Sequence, residues 1–310
     1  MIKPSVLAAA AATIVLYALN YVLSAIAVRE VAPFLVLALR WGVIAIALWA
    51  VVLVLRIRLP RGRALSETIG INVLTQGAQF IGCYWALGHG ASAGIVALVI
   101  AMNPVMTAVA TAVILRRRQS RRAWVAVVVG AVAVTFACLP KILADPDVGS
   151  ALVVVVLALL GLSLGSLWQG ERLRGESPIA VNAIGACVGL VLLAPFLMAA
   201  PPAMPAAGGA WTLILLIGLV GAAGTTCYSW LVRAIGAGEA SIVFSVIPAV
   251  TALVAWLALG DEITIPVVVG LVLGALACVL RVRPAARVRT RSGVNARLLT
   301  RPDRERPPTR

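Results

Sequence analysis

The segment Gly77-Ala-Gln-Phe-Ile-Gly-Cys-Tyr84 returns 144 residues later as Gly221-Ala-Ala-Gly-Thr-Thr-Cys-Tyr228, with the glycine, the alanine and the Cys-Tyr pair in the same places. The same offset, to within one residue, relates four further pairs: Gly94 and Gly238, Pro104 and Pro248, Gly130 and Gly274, and Pro33 and Pro178. Matches in register over so much of a chain indicate an internal duplication. The sequence therefore predicts two copies of one structural unit.

The chain around these matches is too apolar for a water-soluble protein. Of its 310 residues, 62% are hydrophobic and 12% are charged, whereas soluble domains are about half apolar and about a quarter charged. Ten apolar segments are close to the roughly 20 residues that a transmembrane helix needs. We number them as spans 1 to 10: 5–27, 33–55, 68–87, 93–115, 123–139, 150–169, 178–199, 211–232, 239–259 and 265–281. We expect an all-α integral membrane protein with ten transmembrane helices. The expected organisation is a first repeat at 1–140, a second at 148–281 and a basic tail at 282–310.

The charged residues indicate that the second unit is inverted in the membrane. Five spans per unit is an odd number, so the second copy must cross the bilayer in the opposite sense to the first. The joint between spans 4 and 5 holds five arginines within 116–122, whereas the equivalent joint between spans 9 and 10 is Gly260-Asp-Glu-Ile-Thr264. Arginine and lysine collect on the cytoplasmic side of membrane proteins. We therefore expect two inverted five-helix repeats with both termini in the cytoplasm.

The net charge of +15 is concentrated in these joints and in the tail. Residues 281–310 contain ten arginines and no aromatic residue. Single-stranded nucleic acids are bound by aromatic side chains that stack on bases, interleaved with basic residues. We therefore expect the tail to be a disordered segment whose partner is the lipid bilayer and its anionic headgroups, and we expect no nucleic-acid partner.

Polar side chains recur at helical spacing along six of the spans. On span 1, Thr13, Tyr17, Asn20 and Ser24 are three or four residues apart and so share one face. Because polar groups are costly in contact with lipid, such faces indicate a bundle interior or an aqueous cavity. We expect the following residues to line a cavity for a small-molecule substrate: Tyr17, Asn20, Asn72, Gln76, Gln79, Tyr84, Asn103, Gln169, Thr225, Tyr228 and Ser245.

Spans 2, 5, 7 and 10 carry few polar residues and are expected on the outside of the bundle. For the polar residues themselves a second interpretation stays open. Serine and threonine hydroxyls often bond to their own helix, and asparagine and glutamine amides often hold neighbouring helices together. On that interpretation a polar face needs no aqueous cavity.

Two prolines and two cationic or titratable residues add further candidates. Pro104 and Pro248 lie inside spans 4 and 9, where each removes a backbone donor, and are expected to be either hinges at the cavity or neutral kinks. Arg40 lies two turns into span 2 and is expected to extend to the outer membrane surface, with attraction of an anionic substrate group as the alternative. His89, in the turn after span 3, is expected to be a loop residue or a proton-coupling group.

Several of these segments resemble the EamA-type ten-helix exporters of the drug/metabolite transporter superfamily. The resemblance rests on an Ala/Gly-rich helix that leads into a proline, at 94–104 and 238–248, and on a Gly-rich last helix, at 124–134 and 268–278. The acidic loop form of the family is present in Gly260-Asp-Glu262 and replaced by arginines in the first copy. The resemblance implies a central cavity with spans 5 and 10 at the periphery. It also implies a secondary transporter in a bacterial inner membrane that exports metabolites, amino acids or drug-like compounds by alternating access.

Other classes of protein are less well supported. Gly161-Leu-Ser163-Leu-Gly165 matches the GxSxG pattern of serine hydrolases, which would make Ser163 a nucleophile and His89 its base in an intramembrane protease. Because the segment lies within a membrane span, we expect its glycines to form a packing seam instead and expect no catalytic residue. A non-transporting helical scaffold is the third alternative.

The remaining expectations concern other copies of the chain, metals and cofactors. Gly185 and Gly189, with Gly270 and Gly274, form similar seams that would also support a homodimer. No Asp-rich or His-rich cluster and no nucleotide-binding loop is present in the sequence, so no metal or cofactor is expected.

Overall fold

A computed structural model describes residues 3–91, 93–116, 147–205 and 208–259, together with single residues and pairs between 121 and 132 and between 268 and 272. Most of spans 5 and 10, and all of the acidic joint 260–264 and the tail 282–310, therefore lie outside the described residues. None of the described residues forms a β-strand. The all-helical prediction is confirmed for this part of the chain.

The helices of the two repeats follow the same order. In the first repeat they are α1 (Pro4–Ala27), α2 (Pro33–Val54), α3 (Arg63–Asn72), a π helix (Val73–Ile81), α4 (Gly82–Gly88), α5 (Ala93–Ile100) and α6 (Asn103–Val113). In the second they are α7 (Asp147–Arg172), α8 (Pro178–Ala199), α9 (Gly208–Ile235), α10 (Ala237–Ala240), a 3-10 helix (Ser241–Ser245) and α11 (Ile247–Leu259). Within the described ranges, seven helical segments are long and apolar enough to cross a membrane. The chain is a multi-pass membrane protein.

Spans 4 and 9 are each interrupted at the equivalent point, just before a proline. Pro104 lies in the first turn of α6 and Pro248 is the second residue of α11. The first turn of a helix needs no N–H from these residues, and the fixed φ of proline favours helix initiation there. Each proline therefore lies at the start of a new helical segment within its span, and their role as hinges or kinks stays a prediction.

The two repeats interlock rather than sit side by side. Helix α1 packs along α9 and α11, α2 packs along α8 and α9, and the π helix packs against α7 and α8. A first core contains Tyr17, Leu162 and Tyr228, and a second contains Trp41 and Leu193. Spans 2 and 7, which form α2 and α8, supply much of the second core. The expectation that these two spans lie on the outside is therefore wrong.

Glycines bring α7 into contact with the π helix. A Cβ added at Gly161 would lie 2.8 Å from both Ala78 Cβ and Leu74 O, and one at Gly165 would overlap the Thr75 methyl group. Only glycine allows backbones to approach this closely. The prediction that the GxSxG glycines form a packing seam is confirmed.

Gly185 and Gly189 of α8 also face the interior of this chain. A Cβ at Gly185 would overlap the Asn72 side chain, and one at Gly189 would lie 2.7 Å from the Trp41 ring. This pair of glycines is covered within one copy of the protein, so it gives no support to a homodimer. Gly270 and Gly274 lie outside the described residues.

Candidate functional site

A cavity opens inside the membrane-spanning part of the fold, between α1 and the third helical run, which is formed by α3, the π helix and α4 (63–88). Its lining residues are Tyr17, Asn20, Tyr21, Ser24, Gln79, Phe80, Cys83, Tyr84, Leu87 and Val96. The contributions from α1 recur every three or four residues because one face of that helix meets the cavity. Four of the residues predicted to line a cavity do so: Tyr17, Asn20, Gln79 and Tyr84.

The cavity walls are held by bonds between helices. The Tyr84 hydroxyl donates to Ser24 Oγ at 3.0 Å, which joins α4 to α1. Asn20 Nδ2 donates to the carbonyl oxygen of Ile217 at 2.9 Å, which joins α1 to α9. The Tyr17 ring packs edge-on against Phe244 and Tyr228 of the second repeat. All ten lining residues belong to the first repeat, and these contacts join the cavity wall to the second repeat.

Arg40 lies directly behind this wall. Its side chain is 1% exposed, and its guanidinium carbon is 4.2 Å from the centre of the Phe80 ring. Its Nε and Nη1 atoms are buried and have no hydrogen-bond partner. The expectation that Arg40 extends to the outer membrane surface is therefore wrong, because the side chain ends in the interior of the bundle.

A second polar group joins three helices at Asn103. Asn103 Nδ2 donates to the Tyr228 hydroxyl at 3.3 Å, and Asn103 Oδ1 accepts bonds from Ser163 Oγ at 2.7 Å and Thr107 Oγ1 at 3.2 Å. The Tyr228 hydroxyl in turn donates to Ser166 Oγ at 3.1 Å. All five side chains are buried. We call them the Asn103 network; it joins α6 to α7 and α9 and does not line the cavity.

Asn72 and Gln76 also hold helices together rather than line the cavity. Asn72 Nδ2 donates to the Val181 carbonyl of α8 at 3.2 Å, and Gln76 Oε1 accepts a bond from the Trp41 indole at 3.0 Å. For these two residues the interpretation as contacts between helices is correct.

The other predicted residues lie elsewhere. Thr225 Oγ1 donates to Gly221 O at 2.8 Å and Ser245 Oγ to Ile242 O at 2.6 Å, which are bonds within their own segments. Gln169 is buried on α7 but is not part of the cavity lining. His89 is exposed in the turn after α4, where its ring stacks on Trp85 at 3.7 Å and its Nδ1 lies 2.8 Å from the Trp85 carbonyl oxygen.

Asn182, which was not predicted as a site residue, is buried on α8 and donates to Ser229 Oγ at 2.9 Å and, at 3.4 Å, to Thr225 O. Span 7 has no polar face, so a single amide there gave no periodic signal. Tyr21 and Phe80 also line the cavity and were not predicted to do so.

Replacing Asn182 with leucine should lower stability. The change removes the donor that joins α8 to α9, and a lost buried hydrogen-bond partner costs about 1–3 kcal/mol. Thermal unfolding of purified protein in detergent, followed by tryptophan fluorescence, should show a lower Tm. Thr212→Val is the matched control, because Thr212 is exposed and bonds only within α9; a Tm equally lowered in both variants would contradict the assignment.

A comparison with known families agrees with the helical fold in two repeats. The model of the EamA-like transporter family matches residues 4–139 and, as a second copy, residues 149–283. The chain belongs to the EamA-like transporter family. A solved structure described as "Crystal structure of protein" covers 87% of this EamA-like chain and 96% of its own length, with a TM-score of 0.66 and 17% identity. At that identity the likeness shows a shared fold alone. No curated protein sequence matches the chain.

Proposed function

We propose that this EamA-like protein is a secondary transporter that exports a small polar organic molecule, of the size of an amino acid or other metabolite, by alternating access. One observation carries the proposal: a cavity with hydroxyl, amide and aromatic groups in its wall lies among helices long enough to cross the membrane. Small-molecule sites are typically concave, largely apolar and fitted with a few polar groups. In transporters built from repeats they lie where the repeats meet.

The packing supports a mechanism in which the repeats move against each other. Helix α1 forms one wall but packs along α9, and the π helix forms the other wall but packs against α7. Because both walls belong to the first repeat, a rotation of that repeat would carry the cavity as a unit past α7 and α9. The breaks before Pro104 and Pro248 stand at equivalent points and are proposed as the hinges.

The arginines support a cytoplasmic location for both termini in a bacterial inner membrane. Arg233 Nη1, at the end of α9, donates to the carbonyl of Glu176 at 3.1 Å, so the α7–α8 turn and the end of α9 lie on one side. That side also holds Arg172 and Arg174, as expected for a cytoplasmic surface.

The rival functions have less support. In a serine protease the nucleophile and base must lie within hydrogen-bond reach of each other. Here the Ser163 hydroxyl donates to Asn103, whereas His89 is exposed and stacks on Trp85. A scaffold would have no use for the cavity.

Filling the cavity tests the proposal. In liposomes containing purified protein, Ser24→Trp should reduce flux of a transported compound more than about tenfold, because a buried indole would occupy the substrate space. Flux across a panel of amino acids and small metabolites, with and without a pH gradient, is the measurement. Val15→Trp, on the same helix but half exposed, is the control. If the wild type and both variants show no flux of any compound, the proposal of transport is contradicted. If all three show equal flux, the proposed position of the substrate site is contradicted.

A further inference from the structure

Arg40 has no anionic partner within the described residues. Its two buried nitrogens, Nε and Nη1, lack hydrogen-bond partners. In the described ranges no Asp or Glu side chain is buried. The ion pair found there joins Arg63 to Glu67 on α3 and does not involve Arg40. The Phe80 ring compensates part of the charge by a cation–π contact. A buried cation with no anionic partner is costly in a protein interior and still more so in a membrane.

The fold itself does not require an arginine at this position. The offset of 145 that relates Pro33 to Pro178 also relates Arg40 to Gly185. Helix α8 occupies the equivalent place in the second repeat without any side chain there, so packing of this helix does not depend on a long cation. The charge is present in one repeat only, which indicates a role outside the common architecture.

The guanidinium is placed against the cavity wall. It lies between Gly221 of α9 and Phe80, where a Cβ on residue 221 would come within 3.0 Å of Nε and 3.2 Å of Nη2. Phe80 is itself a lining residue, so one aromatic ring separates the guanidinium from the cavity. The positive charge therefore lies one side chain away from the space that Phe80 lines.

We infer that the cavity takes organic molecules that carry one carboxylate, and that Arg40 selects them. A planar guanidinium binds carboxylates through paired N–H donors. Nε and Nη1 lie on different edges of the guanidinium, and neither has a hydrogen-bond partner. A carboxylate that approaches either edge therefore meets an unused N–H donor. A single cation balances a monovalent carboxylate, whereas a doubly charged phosphate would leave one negative charge buried. The inference rests on the proposed transport function and names its substrate class.

Matched acids and amides test the inference. Benzoate and benzamide, lactate and lactamide, and N-acetylphenylalanine and its amide would be compared in two assays. The first is stabilisation of the purified protein against thermal unfolding, and the second is flux into liposomes. Acids should stabilise the wild type more than their amides do. Since a charge-assisted hydrogen bond changes affinity by about 10- to 100-fold, Arg40→Gln should weaken the response to acids by that factor and leave the response to amides unchanged.

Two further variants separate a binding role from a structural one. Arg40→Lys keeps the charge and should retain part of the preference for acids. Gly221→Ala keeps Arg40 but places a methyl group 3.0 Å from Nε, and should weaken the response to acids alone. Arg29→Gln removes an exposed arginine in the turn after α1 and should change nothing.

The two assays keep this inference distinct from the transport proposal. Stabilisation by acids that depends on Arg40, with no flux of any compound, would support the carboxylate site and contradict transport. Flux of neutral or cationic compounds only, unaffected by Arg40→Lys or Gly221→Ala, would support transport and overturn the carboxylate site. Equal responses to acids and amides, or no response to any acid in either assay, would also overturn it.

Discussion

Replacing Gly165 with valine should nearly abolish the folded protein. The Cβ of any residue at this position overlaps the Thr75 methyl group and lies 3.2 Å from the Ile71 carbonyl oxygen. The carbonyl belongs to a helix and cannot rotate away, so α7 and the π helix must separate. Overpacking usually costs about 1–3 kcal/mol; because the separation also breaks the contacts of Gly161, we expect at least about 3 kcal/mol, or more than about 100-fold in the folded fraction.

Gly149→Val is the matched control for this change. Gly149 lies on the same helix, and a Cβ there meets no atom within 4 Å. Valine at 149 should leave stability unchanged or slightly raised, because glycine is a poor helix former. The measurement is the amount of monodisperse protein after extraction from membranes, with the Tm of whatever remains. Normal yield and Tm for Gly165→Val would contradict the packing seam.

The repeat was the most informative feature of the sequence. Matching positions such as Pro104 and Pro248 identified the two units, and the structure interrupts both units at these prolines. The positions of the helices were predicted from the lengths of the apolar segments, because a helix needs roughly 20 apolar residues to cross a bilayer. The breaks themselves were not predicted, because a proline in an apolar run is equally compatible with a kinked helix and with a new one.

The cavity was predicted on α1 and only in part on the third helical run. On α1 the regular spacing of Tyr17 and Asn20 was sufficient. On the third run, Asn72, Gln76 and Gln79 were expected on one face because their spacing suits an α-helix. The π helix at Val73–Ile81 has wider turns, so the direction of the side chains changes along it. Gln79 consequently faces the cavity, whereas Gln76 bonds to Trp41 of α2.

The position of Arg40 depends on distant parts of the chain that a local pattern does not reveal. From the sequence, a cation two turns from the helix end could extend to the membrane surface or into the bundle. The space beside Gly221 and the face of Phe80, 181 and 40 residues away in the chain, accommodate it inside. Neither residue belongs to α2, so the sequence pattern of α2 alone does not predict where the Arg40 side chain ends.

The Asn103 network offers a second large effect. Asn103→Leu has nearly the same volume but removes a donor and an acceptor, and leaves the hydroxyls of Ser163, Thr107 and Tyr228 without their amide partner. Each buried group deprived of its partner costs about 1–3 kcal/mol. We expect a loss of about 3 kcal/mol or more in unfolding free energy. Flux should fall as well, because the Tyr228 ring packs against the cavity residue Tyr17.

A double-mutant cycle with Ser163→Ala distinguishes loss of this network from a general packing defect. Once Ser163 has no hydroxyl, its bond to Asn103 Oδ1 is already absent, so the double variant should lose less than the sum of the two single losses. Side chains in contact within one network typically show coupling of about 0.5–3 kcal/mol. The cycle would be measured by thermal unfolding and by flux in liposomes. Strict additivity would show that the two side chains act independently, and loss of flux in Ser163→Ala at normal stability would point to chemistry at Ser163 instead of packing.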